Sequence, residues 1–162
     1  MRGVQLRKMT QAVQLSLRAA IGATVSLAIA ELLSLKHPLY AFMAAVFVTD
    51  LEPSLTRQLG VRRMVATVVG TVIGAILSAW LPAGVWSVGA GIMLAMLVCH
   101  FLGTGDGAKV AGYICGIIML HHSAEPWSYA WFRFIETALG VAVAWSISFV
   151  PKLLGVEEAT QA

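Results

Sequence analysis

The sequence contains little charge, little cysteine and no long polar stretch. Charged residues make up 12% of its 162 residues, about half the share found in a soluble domain. Its two cysteines, Cys99 and Cys115, show no CxxC or zinc-ligand spacing and fall in apolar segments, so we expect free, buried thiols, no metal and no cofactor. No Ser, His and Asp grouping and no acid/base pair has a workable spacing. We therefore expect no catalytic site and no enzyme.

Apolar residues dominate instead. They make up 59% of the chain, and the mean hydropathy is +0.82. A membrane-spanning helix needs ~20 apolar residues, and six candidate segments recur along the sequence. We predict an all-α integral membrane protein with six transmembrane helices, forming a single domain over residues 1–162 with no soluble domain. The predicted segments are roughly 12–33, 38–51, 63–81, 85–102, 108–120 and 129–150.

The basic residues are concentrated on one side of this predicted membrane topology. Nine of the eleven fall on that side, and only Lys36 and Arg133 remain for the other. The positive-inside rule then places both termini in the cytoplasm. Because the charges follow the membrane topology, the net charge of +3 does not indicate a nucleic-acid partner. The nine residues are Arg2, Arg7, Lys8, Arg18, Arg57, Arg62, Arg63, Lys109 and Lys152.

The two halves of the chain share a sequence pattern. Tyr40 and Tyr113 each lie four residues after a lysine and thirteen before a proline that follows a glutamate. Each half then reads Arg-x3-Thr-x2-Gly-x3-small. An odd number of predicted spans separates the copies, so we predict two inverted three-helix repeats, about 10–81 and 85–150. The small residues favour a tight crossing of the third and sixth helices. These packing residues are Thr67, Gly70, Gly74, Thr137, Gly140 and Ala144.

The second and fifth predicted segments are unusually short. Thirteen residues separate Lys36 from Asp50, and eleven separate Lys109 from His121. Eleven helical residues cover ~17 Å, about half of the hydrocarbon thickness. A re-entrant loop is the alternative for the second segment, but it would place three arginines outside, against the charge rule. Paired short segments at matching positions indicate a transport site between the repeats.

Charged residues at membrane depth cost ~2.5–3.5 kcal/mol on insertion scales, so they face a partner or a cavity. Glu31 and Arg133 lie near the outer ends of their segments, and we predict an ion pair between them; the alternative is that Glu31 reaches the outer headgroups. Glu136 either pairs with Arg133 or titrates in the pathway, as proton-coupled antiport requires. The mixed-sign clusters at the two mouths are either solvated loops or gates, and His121 and His122 suit a pH-sensitive outer gate better than a metal site. The predicted pathway residues are Lys36, Asp50, Glu52, Arg62, Arg63, Lys109, His121, His122, Arg133 and Glu136.

Two stretches resemble a known family. Residues 40–63 read YAFMAAVFVTDLEPSLTRQLGVRR, with ATVVGTVIGAIL following at 66–77, and residues 132–145 read FRFIETALGVAVAW. They resemble the fusaric acid resistance and aromatic acid exporter family, which is similar to the plant aluminium-activated malate transporters. The resemblance covers roughly residues 10–150. Its matching positions are Pro53, Arg62, Arg63, Arg133 and Glu136.

This resemblance implies an inner-membrane module that moves small organic anions, aromatic acids among them, outward through the lipid bilayer. Exporters of the family usually carry a cytoplasmic helical domain and often a second six-helix module. Since this chain contains neither, we expect a homo-oligomer of at least two chains. The second hypothesis is a non-transporting scaffold or accessory subunit that packs against a partner membrane protein. An integral-membrane enzyme is the third and least favoured class.

Overall fold

The computed structural model describes residues 2–82, 84–122 and 125–150. These residues form six α-helices and one short 3-10 turn, and they contain no strand. Lys152, which the charge rule assigned to the cytoplasmic side, lies outside the described residues. The elements are α1 (Arg2–Leu32), α2 (Leu39–Val48), α3 (Pro53–Trp80), α4 (Val85–Phe101), the 3-10 turn (Gly105–Gly107), α5 (Ala108–His121) and α6 (Pro126–Ser148).

A glutamate–proline pair begins the last helix of each half. Pro53 and Pro126 occupy the first turn of α3 and α6, where the missing N–H of proline costs no hydrogen bond. Glu52 has an extended backbone (φ −102°, ψ 125°), as the residue before proline prefers. α3 therefore begins ten residues before the predicted segment start at Arg63. Arg63 lies almost three turns inside the helix and not at a loop.

The prediction that the second and fifth helices are short is confirmed. α2 has 10 residues and α5 has 14, which corresponds to ~15 Å and ~21 Å. Three helical segments are long and apolar enough to cross a membrane, Met9–Leu32, Pro53–Trp80 and Pro126–Ser148. Of the six predicted transmembrane helices, all six are present as helices among the described residues, and these three have the length and hydropathy of a full crossing. α2 is too short to cross alone, because ten residues cover only half of the ~30 Å hydrocarbon core.

The helix contacts made by the first half of the chain correspond to those made by the second half. α1 packs against α2 and α6, while α4 packs against α5 and α3; α2 also packs against α6, α5 against α3, and α3 against α6. This pattern is unchanged when the halves are exchanged. Gly70 lies on the backbone of Ala111 in α5, and Gly140 lies on the backbone of Ala41 in α2, so a methyl group at either glycine would overlap its neighbour. The two glycines thus let α3 and α6 each approach the short helix of the other half.

The outer surface is strongly apolar. Val85, Trp86 and Phe101 are 86–91% exposed, an arrangement that suits a surrounding of lipid chains better than water. Alanine is the most frequent buried apolar residue among the described residues, and the two cysteines, Cys99 and Cys115, are free and buried, as predicted. Small side chains allow the helices to approach closely, which is how helices associate in lipid.

Candidate functional site

Two arginines, one from each half, meet at a single tyrosine hydroxyl inside the protein. Nη2 of Arg63 (α3) donates to Oη of Tyr113 (α5) at 2.8 Å, and Nη2 of Arg133 (α6) donates to the same oxygen at 2.6 Å. Arg63 is 6% exposed and Arg133 is 1% exposed. Because both nitrogens bind one oxygen, they lie no more than about 5.4 Å apart. We call these three residues the arginine centre.

Aromatic rings cover both guanidinium groups. The guanidinium carbon of Arg133 lies 3.4 Å from the ring centroid of Tyr40, and that of Arg63 lies 5.2 Å from the ring of Phe47 and 5.8 Å from the ring of Tyr113. Such cation–π contacts are worth ~2 kcal/mol when desolvated. Each arginine therefore contacts the repeat tyrosine of the opposite half. The prediction of pathway residues omitted both tyrosines, although their matched spacing marks them.

Among the described residues, no carboxylate forms an ion pair with the arginine centre. In this part of the chain, Asp106 forms an ion pair with Arg62, and Oε1 of Glu136 lies 4.0 Å from Nδ1 of His37, but no carboxylate lies within 4.0 Å of a nitrogen of Arg63 or Arg133. Nε of both arginines and Nη1 of Arg133 are buried without a hydrogen-bond partner in the described chain. Unpaired charges are costly to bury. The centre is therefore electrostatically suited to a negatively charged ligand.

The predicted ion pair between Glu31 and Arg133 is wrong. Glu31 is exposed on the last turn of α1, whereas Arg133 lies about two turns inside α6 and turns towards Tyr113. Glu136 does not pair with Arg133 within 4.0 Å either. Its Oε1 accepts the backbone N–H of His37 at 2.7 Å, and its buried Oε2 has no partner among the described residues.

A small cavity leads to Arg63 from one end of the bundle. Its volume is about 130 Å³, and we call it the Arg63 cavity. Arg62 and Asp106 line it and form an exposed ion pair that joins α3 to the 3-10 turn. This ion pair lies where a solute from that end would approach Arg63. The lining residues are Phe47, Val48, Leu59, Arg62, Arg63, Asp106, Gly107 and Val110.

A cluster of histidine and tyrosine rings lies at the end of the bundle away from the Arg63 cavity, where α2 begins and α5 ends. The ring of His37 lies 5.7 Å from Tyr40, 5.8 Å from His122 and 5.5 Å from Tyr129, and His122 stacks on Tyr129 at 4.0 Å. We call these four residues the histidine cluster. It adjoins Arg133 through Tyr40. Arg133 itself is almost fully buried.

The two histidines of the cluster are biased towards their neutral forms. Burial lowers the pKa of His37, and the positive charges of His122, Lys36 and Arg133 lower it further. Burial also lowers the pKa of His122, with a second contribution from His121. Desolvation and like charges both disfavour the protonated ring. Of the two histidines predicted for an outer gate, His122 lies in the histidine cluster together with His37, whereas His121 is exposed.

Other predicted pathway residues lie away from the arginine centre. Oδ1 of Asp50 accepts the N–H of Glu52, and Oε1 of Glu52 accepts the hydroxyl of Ser54, so these carboxylates organise the turn between α2 and α3. Nζ of Lys36 lies 4.9 Å from the ring centroid of Phe132. These contacts fit solvated loop charge better than a lining of the path. The exposed members of the predicted set are Lys36, Glu52, Lys109 and His121.

Arg18 has a structural position that the charge pattern did not reveal. It is 4% exposed, and it donates from Nη1 to the carbonyl oxygen of Leu51 at 2.9 Å and from Nη2 to that of Val150 at 2.8 Å. It thereby fastens α1 to the loop before α3 and to the end of α6. A periodicity in sequence gives no signal for such a contact, since the partners are backbone carbonyls 33 and 132 residues away.

The apolar helices and the buried, unneutralised arginines define an integral membrane protein with a charged interior. A family model described as fusaric acid resistance protein-like matches residues 20–147. The chain belongs to this family, and the family expected from the sequence is confirmed. It is accordingly a membrane protein of transporter or exporter type. No curated protein and no solved structure matches the chain.

Proposed function

We propose that this chain moves small organic anions, aromatic acids among them, outward across the inner membrane as a homo-oligomer of at least two chains. The observation that carries the proposal is the arginine centre, where Arg63 and Arg133 are buried without a carboxylate partner. A bound carboxylate would supply both the missing charge and the missing acceptors, and hydrogen bonds between ionised groups are the strong ones.

The path in this proposal runs between two inverted halves, about 10–81 and 85–150. Exchanging the two halves leaves the set of helix contacts unchanged, which supports this arrangement. So do the directions of the short helices: Phe47 near the end of α2 and Gly107 before α5 line the Arg63 cavity, whereas Tyr40 at the start of α2 and His122 after α5 belong to the histidine cluster. In carriers built from inverted repeats, the site lies where the repeats meet.

We place the Arg63 cavity on the cytoplasmic side, following the positive-inside rule. The described conformation then faces the cytoplasm as far as Arg63 and is closed on the outside by the histidine cluster. In an alternating-access cycle, the cluster opens when the inner mouth beside Arg62 and Asp106 closes around Arg63. Glu136, whose Oε2 is buried and unpartnered, couples this cycle to protons.

Aromatic acids are the favoured substrates because the arginines lie among aromatic rings. Tyr40, Phe47 and Tyr113 offer ring faces next to guanidinium groups. A planar aromatic carboxylate could place its ring on these faces while its carboxylate binds the arginines, and ring pairs add about 0.5–1.5 kcal/mol to such a contact.

A non-transporting accessory subunit is the second candidate function. The observation that favours it is an open groove along α4, formed almost entirely by apolar side chains at which a helix of a partner membrane protein could pack. The residues of the groove are Gly89, Ile92, Met93, Met96, Leu97, His100 and Ala108.

Reconstitution in liposomes separates the two functions. Wild-type protein should give benzoate flux, and Arg63→Ala and Arg133→Ala should each reduce that flux at least tenfold, because either change removes half of the positive charge of the centre. Arg57→Ala is the matched control. It removes an exposed arginine from α3, and its flux should stay within about twofold of wild type by the usual behaviour of exposed charges.

Two results would contradict the transport proposal. The first is a well-folded wild-type protein that passes no organic anion. The second is an equal loss of flux in Arg57→Ala and Arg63→Ala, which would mean that surface charge alone matters. A silent protein that is stable only with a co-purified membrane partner would favour the accessory subunit.

A further inference from the structure

The hydroxyl of Tyr113 occupies the place that an anion's oxygen would take between the two arginines. It accepts hydrogen bonds from Arg63 at 2.8 Å and from Arg133 at 2.6 Å. A neutral hydroxyl satisfies these donors but leaves their charge uncompensated. An anion offers the same acceptor geometry with the opposite charge, and hydrogen bonds to a charged acceptor are about twice as strong as neutral ones. An arriving anion can therefore displace the hydroxyl.

We propose that Tyr113 is an internal competitor of the transported anion, whose hydroxyl leaves the arginines as the anion binds and returns as the anion departs. This inference rests on the proposed function. A site must bind well enough for the anion to enter and weakly enough for it to leave. Two bare guanidinium groups whose Nη2 atoms lie about 5.4 Å apart or less would retain an anion too long. The returning hydroxyl lowers the cost of release, because it supplies an acceptor when the anion has gone.

The first half provides a comparison residue. Tyr40 has the same place in the repeat as Tyr113, but it meets Arg133 with its ring, 3.4 Å from the guanidinium carbon. Among the described residues, no hydrogen bond joins its hydroxyl to either arginine. Only Tyr113 of this repeat pair is therefore placed to compete with an anion for the guanidinium N–H groups. Removing the two hydroxyls one at a time distinguishes competition from a general loss of polarity.

The test compares Tyr113→Phe with Tyr40→Phe, using benzoate as the probe. Benzoate affinity is measured by calorimetry on purified full-length protein in detergent, and benzoate flux is measured in liposomes. Tyr113→Phe should bind benzoate about tenfold more tightly, which is about 1.4 kcal/mol, and should transport it about tenfold more slowly. Tyr40→Phe should show no tightening. A purely structural role for Tyr113 would lower affinity and flux together.

The two measurements separate this inference from the proposed function. If wild-type protein binds benzoate but does not transport it, the transport proposal fails, while the order of affinities still decides the role of Tyr113. If transport occurs and Tyr113→Phe binds benzoate equally or less well, the competitor role is overturned and the transport proposal stands. A wild-type protein that binds no benzoate overturns the competitor role as well.

Instability of Tyr113→Phe would not prevent the test. Two arginines without the bridging oxygen repel each other, so the variant should unfold at a lower temperature in the absence of anion. A ligand at free concentration L that binds only the folded state raises the free energy of unfolding by RT ln(1 + L/Kd), so a tighter ligand gives the larger increase at a given concentration. The midpoint of thermal unfolding should therefore rise more steeply with benzoate in Tyr113→Phe than in wild type, and an equal or shallower rise would overturn the inference.

Discussion

Arg63 and Arg133 are held by the same helical motif, but the residues packed beside the two motifs differ. In both, a threonine four residues later donates its hydroxyl to the arginine's carbonyl oxygen, Thr67 at 2.9 Å and Thr137 at 2.7 Å. The residue three positions after the arginine differs. Behind Arg63 it is an alanine, which packs near Gly107 beside the cavity. Behind Arg133 it is Glu136, which accepts the N–H of His37.

The difference shows how a repeated helical motif can produce two unlike ends of the helix bundle. The shared arginine and threonine fix the guanidinium groups on helices that approach closely through glycine. The residue that differs sets how the neighbouring loop is held. Glu136 accepts a hydrogen bond from His37 in one loop, whereas Ala66 only packs its methyl group near Gly107 in the other. We infer that the shared residues build the centre, whereas the unshared ones give the His37 end its own closure and its own response to protons.

The largest expected effect tests the close helix packing at the glycine that both halves share. Gly140→Ala and Gly70→Ala should each lower the free energy of unfolding by about 3 kcal/mol, because the new methyl group meets the backbone of Ala41 or Ala111 and overpacking costs about 1–3 kcal/mol or more. Chemical unfolding in mixed micelles measures the change. Gly89→Ala is the control, since nothing lies within 4 Å of its added methyl group. Equal stability of all three variants would contradict the close crossings.

The second prediction tests the difference between the ends. Glu136→Ala should cost about 2 kcal/mol, since it leaves the N–H of His37 without its acceptor and unmet buried hydrogen bonds cost about 1–3 kcal/mol. The same unfolding assay measures it. Glu125→Ala, directly before the same helix, is the control; Glu125 is exposed, its side chain makes no capping hydrogen bond, and its loss should cost about 0.5 kcal/mol or less. Equal losses would mean that Glu136 does not hold the loop.

The third prediction concerns the ion pair beside the Arg63 cavity. Asp106→Asn should lower the free energy of unfolding by about 0.5 kcal/mol or less, because both partners are substantially exposed and exposed pairs contribute little. The effect should disappear in 1 M salt, where the screening length falls to about 3 Å. A loss above about 2 kcal/mol that persists in salt would show that this end, like the other, is closed by a strong polar contact.

The sequence predicted the helices of this fold better than the contacts of its site. Apolar length gave the helices and the short α2 and α5, because those features depend on local composition. The repeat marked Arg63, Arg133 and both tyrosines. It could not show that Arg63 and Arg133 meet, since their separation depends on how deeply each helix is inserted. The early start of α3 at Pro53 moved Arg63 from the expected mouth into the interior. In the same way, the start of α6 at Pro126 places Arg133 about two turns inside its helix, away from the predicted partner Glu31.

The smallest expected effect is on the protonation of His37, and it sharpens the contrast most directly. His37 lies 4.0 Å from Oε1 of Glu136, yet burial together with the charges of His122, Lys36 and Arg133 lowers its pKa. The unfolded chain takes up this proton near pH 6.5, and the folded protein only at lower pH. The neutral ring therefore stabilises the fold above about pH 6.5, and this stabilisation is lost as the pH falls through the lowered pKa.

NMR titration of the His37 ring signal in micelles measures the shift directly. In wild type, the midpoint should lie below pH 6.5. His122→Gln should move it upwards, because one neighbouring positive charge is removed, but not fully to the ordinary value, because burial remains and is the larger cause. His121→Gln is the control and should move the midpoint less, since its ring is exposed and acts on His122. A midpoint above pH 6.5 would mean that Glu136 holds His37 protonated, so the histidine cluster would be closed by an ion pair and not by neutral rings.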